Sequence, residues 1–139
     1  MEYSGKGVWH VDLTTNASTK IRHLSGTAFG CALGNGVLFV SQWNENKVTK
    51  VGLSPPYEYS NAVIGLTDPF GLVLNVEKTI LYIGERNAHQ VWRVHLNLGN
   101  TESSKEVAVS GITKANSLVL SKDGSTLYVG QSFDPSSVW

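Results

Sequence analysis

Three observations predict an all-β repeat protein. One short pattern occurs three times, as Leu38-Phe39-Val40-Ser41-Gln42, Leu81-Tyr82-Ile83-Gly84-Glu85 and Leu127-Tyr128-Val129-Gly130-Gln131. Each copy follows a second shared piece: Phe29-Gly30-Cys31-Ala32-Leu33, Phe70-Gly71-Leu72-Val73-Leu74 and Asn116-Ser117-Leu118-Val119-Leu120. The strand-like stretches are rich in β-branched and aromatic residues, and some alternate with period two. A period of about 40–50 residues with several strands per unit marks a propeller or a related repeat array.

Each unit offers four strands. The first is the Phe-Gly piece, and the second is the Leu-(Tyr/Phe)-(Val/Ile) piece. The third is Val8-Trp9-His10-Val11-Asp12-Leu13, then Val48-Thr49-Lys50-Val51-Gly52-Leu53, then Val91-Trp92-Arg93-Val94-His95-Leu96. Alternation puts Trp92, Val94 and Leu96 on one face and Arg93 with His95 on the other. The fourth is Lys20–Leu24, Ala62–Leu66 and Glu106–Ser110. Asn35-Gly36 and Lys122-Asp123-Gly124 join first to second strands as hairpin turns, because glycine takes positive φ cheaply. Asn75-Val76-Glu77-Lys78 fills that place without glycine. Ser54-Pro55-Pro56 and Asn97-Leu98-Gly99-Asn100 read as loops between third and fourth strands. Trp9, Trp92 and Trp139 recur in phase and read as packing residues. Cys31 reads as a small buried hydrophobe of an inner strand. Twelve strand slots follow, in three repeats of residues 7–46, 47–89 and 90–139 within one segment, 1–139, with Val138-Trp139 as the stub of a further strand.

The 139 residues suffice for one domain with a sizeable core. Lys plus Arg number 11 and Asp plus Glu 11, so the formal charge balances. That argues against nucleic-acid or anionic-membrane partners, which select a basic excess. No apolar run reaches the roughly 18 residues of a membrane span. Met1–Lys6 lacks the character of a signal peptide. The single cysteine, Cys31, excludes an internal disulfide and a cysteine-based zinc site. The four histidines fall on separate strands and turns, and no nucleophile elbow, phosphate loop or zinc helix is present. Asn16-Ala17-Ser18 fits the glycosylation pattern and, with no secretion signal in view, reads as a chance match.

Pro69-Phe70-Gly71-Leu72-Val73-Leu74, Leu81-Tyr82-Ile83-Gly84-Glu85 and His89-Gln90-Val91-Trp92-Arg93-Val94 together resemble the NHL-repeat blade. The stretch Ala115–Tyr128, with its Ser121-Lys122-Asp123-Gly124 hairpin, is similar to the blades of the gluconolactonase, regucalcin and strictosidine-synthase-like propellers. The Asn-His-Leu triplet of NHL repeats reads Glu45-Asn46-Lys47 and Ala88-His89-Gln90 here. The resemblance implies a six-bladed ring, of which this chain holds three four-stranded antiparallel blades. Either the chain is a fragment of a longer propeller, or two copies close a ring as a homodimer. In the second case Leu127–Gly130 of one copy would pair with Val8–Leu13 of the other.

In a meandering blade, the loop before strand one and the loop after strand two lie on one face, at the mouth of the central channel. That expectation gathers Thr27, Asp68 and Lys114 with Gln42, Glu85 and Gln131, followed by Trp43, Arg86 and Ser132. Phe29, Phe70 and Asn116 stand just inside. The candidate ligand-binding residues are Trp43, Asp68, Glu85, Arg86 and Asn116. A loop tryptophan is a plausible anchor, whereas an aspartate before Pro69 also suits a turn. In the gluconolactonase-like proteins an asparagine opening an inner strand is a divalent-metal ligand, so the resemblance implies Asn116 as a ligand for Ca²⁺ or Mg²⁺. Phe29 and Phe70 occupy its two matching positions. The leading expectation is therefore a cofactor-free, non-catalytic scaffold for a protein or small-molecule ligand. The alternative is a metal-dependent lactone hydrolase.

Overall fold

The computed structural model describes residues 6–96 and 104–132. The expected loop at Asn97–Asn100, the stub Val138-Trp139 and Met1–Gly5 lie outside them. Twelve strands are described, in chain order: β1 (Gly7–Val11), β2 (Ser18–His23), β3 (Ala28–Gly34), β4 (Val37–Gln42), β5 (Lys47–Gly52), β6 (Tyr59–Val63), β7 (Pro69–Leu74), β8 (Ile80–Glu85), β9 (Gln90–His95), β10 (Lys105–Ser110), β11 (Ala115–Leu120) and β12 (Leu127–Gln131).

They form two whole four-stranded antiparallel blades, β3-β4-β5-β6 and β7-β8-β9-β10, flanked by two half blades. The pair β1-β2 is an outer half, and β11-β12 is an inner half. The fold is all-β and propeller-like, and the twelve strands amount to three blades. The repeat read from sequence starts at a third strand, whereas a blade starts at a first strand, so each of the three repeats is divided between two sheets.

The blades stack face to face through three apolar layers. Val8 and Leu24 pack with Val40 and Val51 between the first half blade and β3–β6. Phe39, Val48 and Val63 meet Leu72, Leu81 and Val94 between the two whole blades. Val91 meets Ala115 and Leu118 at the last half blade. A middle strand thus buries both of its faces, which is why Val91 and Val94 are both fully buried. The expected register of β9 is present: Trp92, Val94 and Leu96 join one layer. Arg93 and His95 turn to the other face, where both meet Glu106 Oε1, at 3.2 and 3.1 Å. Two expectations are corrected. Trp9 is 53% exposed, with the Lys20 ammonium 5.8 Å from its ring. Cys31 is exposed, because among the described residues the preceding half blade β1-β2 has no inner strands to cover that face of β3.

The hairpins follow the sequence. Asn35 and Gly36 both take positive φ, 55° and 72°. Where glycine is missing, Lys78 adopts φ 58° instead, and the Asn75 side-chain oxygen accepts the N–H groups of Thr79 and Ile80 at 2.8 Å each. The side chain of Asn75 thereby holds a turn that the backbone alone would disfavour.

Two β-bulges recur in register. On each first strand one extra residue interrupts pairing with the second strand. Pairing jumps from Ala28↔Gln42 to Cys31↔Val40, from Pro69↔Glu85 to Leu72↔Ile83, and from Ala115↔Gln131 to Ser117↔Gly130. The interruptions fall at Phe29-Gly30, Phe70-Gly71 and Asn116. A second bulge lies on each fourth strand, at Ile21, Ala62 and Ala108. Bulges bend a strand and re-aim its side chains, and the first set sits at the channel mouth.

Candidate functional site at the channel mouth

Backbone bonds draw the expected mouth residues together. Arg86 N–H donates to the Asp68 carbonyl at 3.0 Å, and Ser132 N–H to the Lys114 carbonyl at 3.1 Å. Asp68 and Lys114 hold equivalent left-handed conformations, φ 47° and 53°. Side chains knit the loops further. Asn44 Oδ1 accepts from Thr27 N–H at 2.8 Å, and Asn46 Oδ1 from Asp68 N–H at 3.1 Å. Gln131 Nε2 donates to the Thr113 carbonyl at 3.0 Å. Asn46 and His89 themselves take φ 54° and 57° immediately before β5 and β9. The middle residue of each NHL-like triplet is therefore a left-handed turn residue.

The five candidates have different roles. Glu85 is 1% exposed, and its oxygens are already used. Oε2 accepts from Thr67 N–H at 2.5 Å, and Oε1 accepts from Gln90 Nε2 at 2.7 Å and Trp92 Nε1 at 2.5 Å. These donors satisfy a buried carboxylate and tie the β6–β7 loop to β8 and β9. Both Glu85 oxygens therefore already have donors inside the protein. Gln42 is its counterpart, bonded to Thr49 Oγ1 in the preceding blade. Asp68 is half-buried and bonds the Asn87 amide.

Of the residues expected at the mouth, Trp43, Arg86 and Phe29 converge on Phe70. The Phe29 and Phe70 rings lie 4.1 Å apart between centroids, tilted by 50°. Trp43, on a short 3-10 turn (Trp43–Glu45), lies 6.2 Å from Phe70. The Arg86 guanidinium sits 5.2 Å from the Phe70 ring, in cation–π range. Phe70 is 6% exposed beneath these neighbours, whereas Phe29 is 55% and Trp43 37% exposed. Close approach of the inner strands makes this possible. A Cβ on Gly30 would lie 2.6 Å from the Phe70 carbonyl oxygen, and one on Gly71 would lie 2.5 Å from that of Asn116. Ser41 Oγ adds a 2.6 Å bond to the same Phe70 oxygen.

Three buried polar atoms at the mouth have no hydrogen-bond partner among the described residues: Gln42 Nε2, Arg86 Nε and Asn116 Oδ1. Asn116 Nδ2 bonds Ser132 Oγ. A single amide oxygen is far from the six to eight oxygens of a Ca²⁺ site. Phe29 and Phe70 offer none at the matching positions. Among the described residues no three His, Cys, Asp or Glu side chains gather to hold a metal. The donor set around Asn116 does not fit the divalent ion that the gluconolactonase resemblance implies.

No known family matches the sequence, and no curated protein is similar to it. Solved structures match the fold. A chain of a nidogen/laminin complex superposes with a TM-score of 0.77 at 16% identity, over 90% of this chain and 48% of the other. A luciferin-regenerating enzyme gives 0.68 at 12%, over 94% and 46%. Virginiamycin B lyase from Staphylococcus aureus, a catalytically inactive form with quinupristin, gives 0.65 at 11%, over 88% and 41%. The chain spans less than half the length of each of these. At such identities the likeness shows the β-propeller fold and nothing finer.

Proposed function

We propose that this chain is a propeller scaffold that binds its ligand at the channel mouth without catalysing a reaction. The observation that carries the reading is that Phe29 and Trp43, two large aromatic side chains, stay exposed while each lies against the same Phe70 ring, at 4.1 and 6.2 Å. Solvent-exposed aromatics around a concave mouth are how binding sites supply contact area at small entropic cost. Loops held by side-chain bonds, as at Asn44–Thr27 and Asn46–Asp68, present those rings in a fixed arrangement. The lactone-hydrolase alternative needs a cation held by several oxygens and a free carboxylate. Glu85 has both oxygens occupied, which favours the binding scaffold.

A crystallographic fragment screen on the 139-residue chain tests the reading. Hits should gather against Phe29, Trp43 and Arg86. Hits confined to the opposite face, near Asn35-Gly36 and Lys122-Asp123-Gly124, would overturn it.

A further inference from the structure

We infer that the mouth selects a small aryl carboxylate, and this inference rests on the channel-mouth reading above. The chemistry comes from Arg86. Its guanidinium lies on Phe70 beside two exposed rings, and among the described residues no carboxylate forms an ion pair with it. The two acids expected at the mouth are otherwise engaged. Glu85 is saturated by Thr67, Gln90 and Trp92, and Asp68 bonds Asn87. Arg86 Nε is buried and has no acceptor.

Arg86 as a whole is only partly buried, so an incoming acceptor meets its outer guanidinium N–H donors rather than the enclosed Nε. A guanidinium presents its donors in a plane, so it matches a carboxylate better than a point anion. The neighbouring Phe29 and Trp43 rings supply stacking area for a flat apolar body. One ligand satisfies both features when a carboxylate is attached directly to an aromatic ring. The anion faces Arg86 and the ring lies on Phe29 and Trp43. A neutral aromatic brings the Arg86 guanidinium no counter-charge, and an aliphatic anion leaves the two rings uncovered.

The test titrates 2-naphthoate and its neutral analogue 2-naphthamide into the 139-residue chain, followed by amide chemical shifts. Naphthoate should bind at least about tenfold more tightly, a gap typical of one charge-assisted bond. Its shifts should centre on Phe29, Trp43, Phe70 and Arg86. Arg86→Gln should abolish the preference while leaving shifts away from the mouth unchanged, and Arg86→Lys should keep only part of it. Equal binding of the two compounds at the mouth, or a preference that survives Arg86→Gln, overturns the aryl-carboxylate assignment and leaves the mouth reading standing. Naphthoate shifts confined to another face overturn both. No binding of either compound at millimolar concentration also sinks the assignment.

Discussion

At the scale of single residues, the buried carboxylate and the exposed turn acid behave in opposite ways. Glu85 accepts from three donors inside the protein, so its removal orphans all of them. Glu85→Ala should destabilise the chain by about 3 kcal/mol or more, because each buried donor left unpaired costs about 1–3 kcal/mol. Asp68→Ala, at a half-buried turn, should cost under about 1 kcal/mol. Paired urea melts decide this, and equal losses would contradict the roles given to the two acids. Asp123 lies fully exposed, yet its carboxyl is held down to about 2, first by the Ser121 hydroxyl and then by the Ser125 backbone and hydroxyl. A depressed carboxyl favours the fold above its unfolded value of about 3.9 and loses that support as pH falls toward 2. A carbon-detected titration should place the Asp123 midpoint near 2. Ser121→Ala should raise it.

At the scale of strands and turns, most of the architecture is legible in the chain. Asn35-Gly36 announces its hairpin, and the alternation in Val91–Leu96 assigns Trp92 and Arg93 to opposite faces. The misreadings share one cause: partners that lie far along the chain. Trp92 is covered because Glu85 accepts its indole N–H and the neighbouring blade packs on it. Trp9 occupies the same phase on β1, but among the described residues no second strand lies beside it. Glu85 reads as a mouth carboxylate, but its donors Thr67 and Trp92 come from a loop and a strand on either side in sequence. The bulges leave no turn residue or break in hydrophobic pattern to find them by. Their glycines are the closest signal, and Gly71 offers a direct check. A methyl there would press on the Asn116 carbonyl from 2.5 Å. Backbone cannot yield as a flexible side chain does, so Gly71→Ala should cost about 1–3 kcal/mol. It should also shift the Asn116 and Phe70 amide resonances. Gly36→Ala meets no atom within 4 Å, so any loss there comes from its positive φ alone and should leave those resonances in place.

At the scale of the whole molecule, the two half blades are complementary. Among the described residues, the pair β11-β12 has no third or fourth strand beside it, and β1-β2 no first or second. Beside β12 lies a groove of about 290 Å³ lined by Tyr82, Arg93, Val109, Leu127 and Val129, among others. Tyr128 and Val119 are 62% and 60% exposed. Apolar edges of this kind call for a cover, which a longer polypeptide or a second copy would supply. For the 139-residue chain alone we propose the second copy. The whole blades pair Gln42↔Lys47 and Glu85↔Gln90, so the matching register sets Gln131 opposite Gly7 and Val129 opposite Trp9 of the other copy. That register gives Trp9 the place beside Gln131 that Trp92 has beside Glu85. Light scattering should report a two-fold dimer burying more than roughly 2,000 Å², and Trp9→Ser should weaken it. A folded monomer at micromolar concentration would contradict the pairing.

The bulge on each first strand carries a consequence for how such a mouth diversifies. Phe29, Phe70 and Asn116 occupy one geometric slot three times, each outside the ladder that holds its strand. Whatever side chain fills the slot, the hydrogen bonds on either side of it are unchanged. Two aromatics and an amide already share it in this single chain. Recognition is thereby written in a register separate from folding, like interchangeable type set into a fixed frame. A library randomised at 29 and 116 should return many folded members with different ligand preferences, whereas one randomised at the neighbouring Gly30 and Gly71 should return few folded members of any kind.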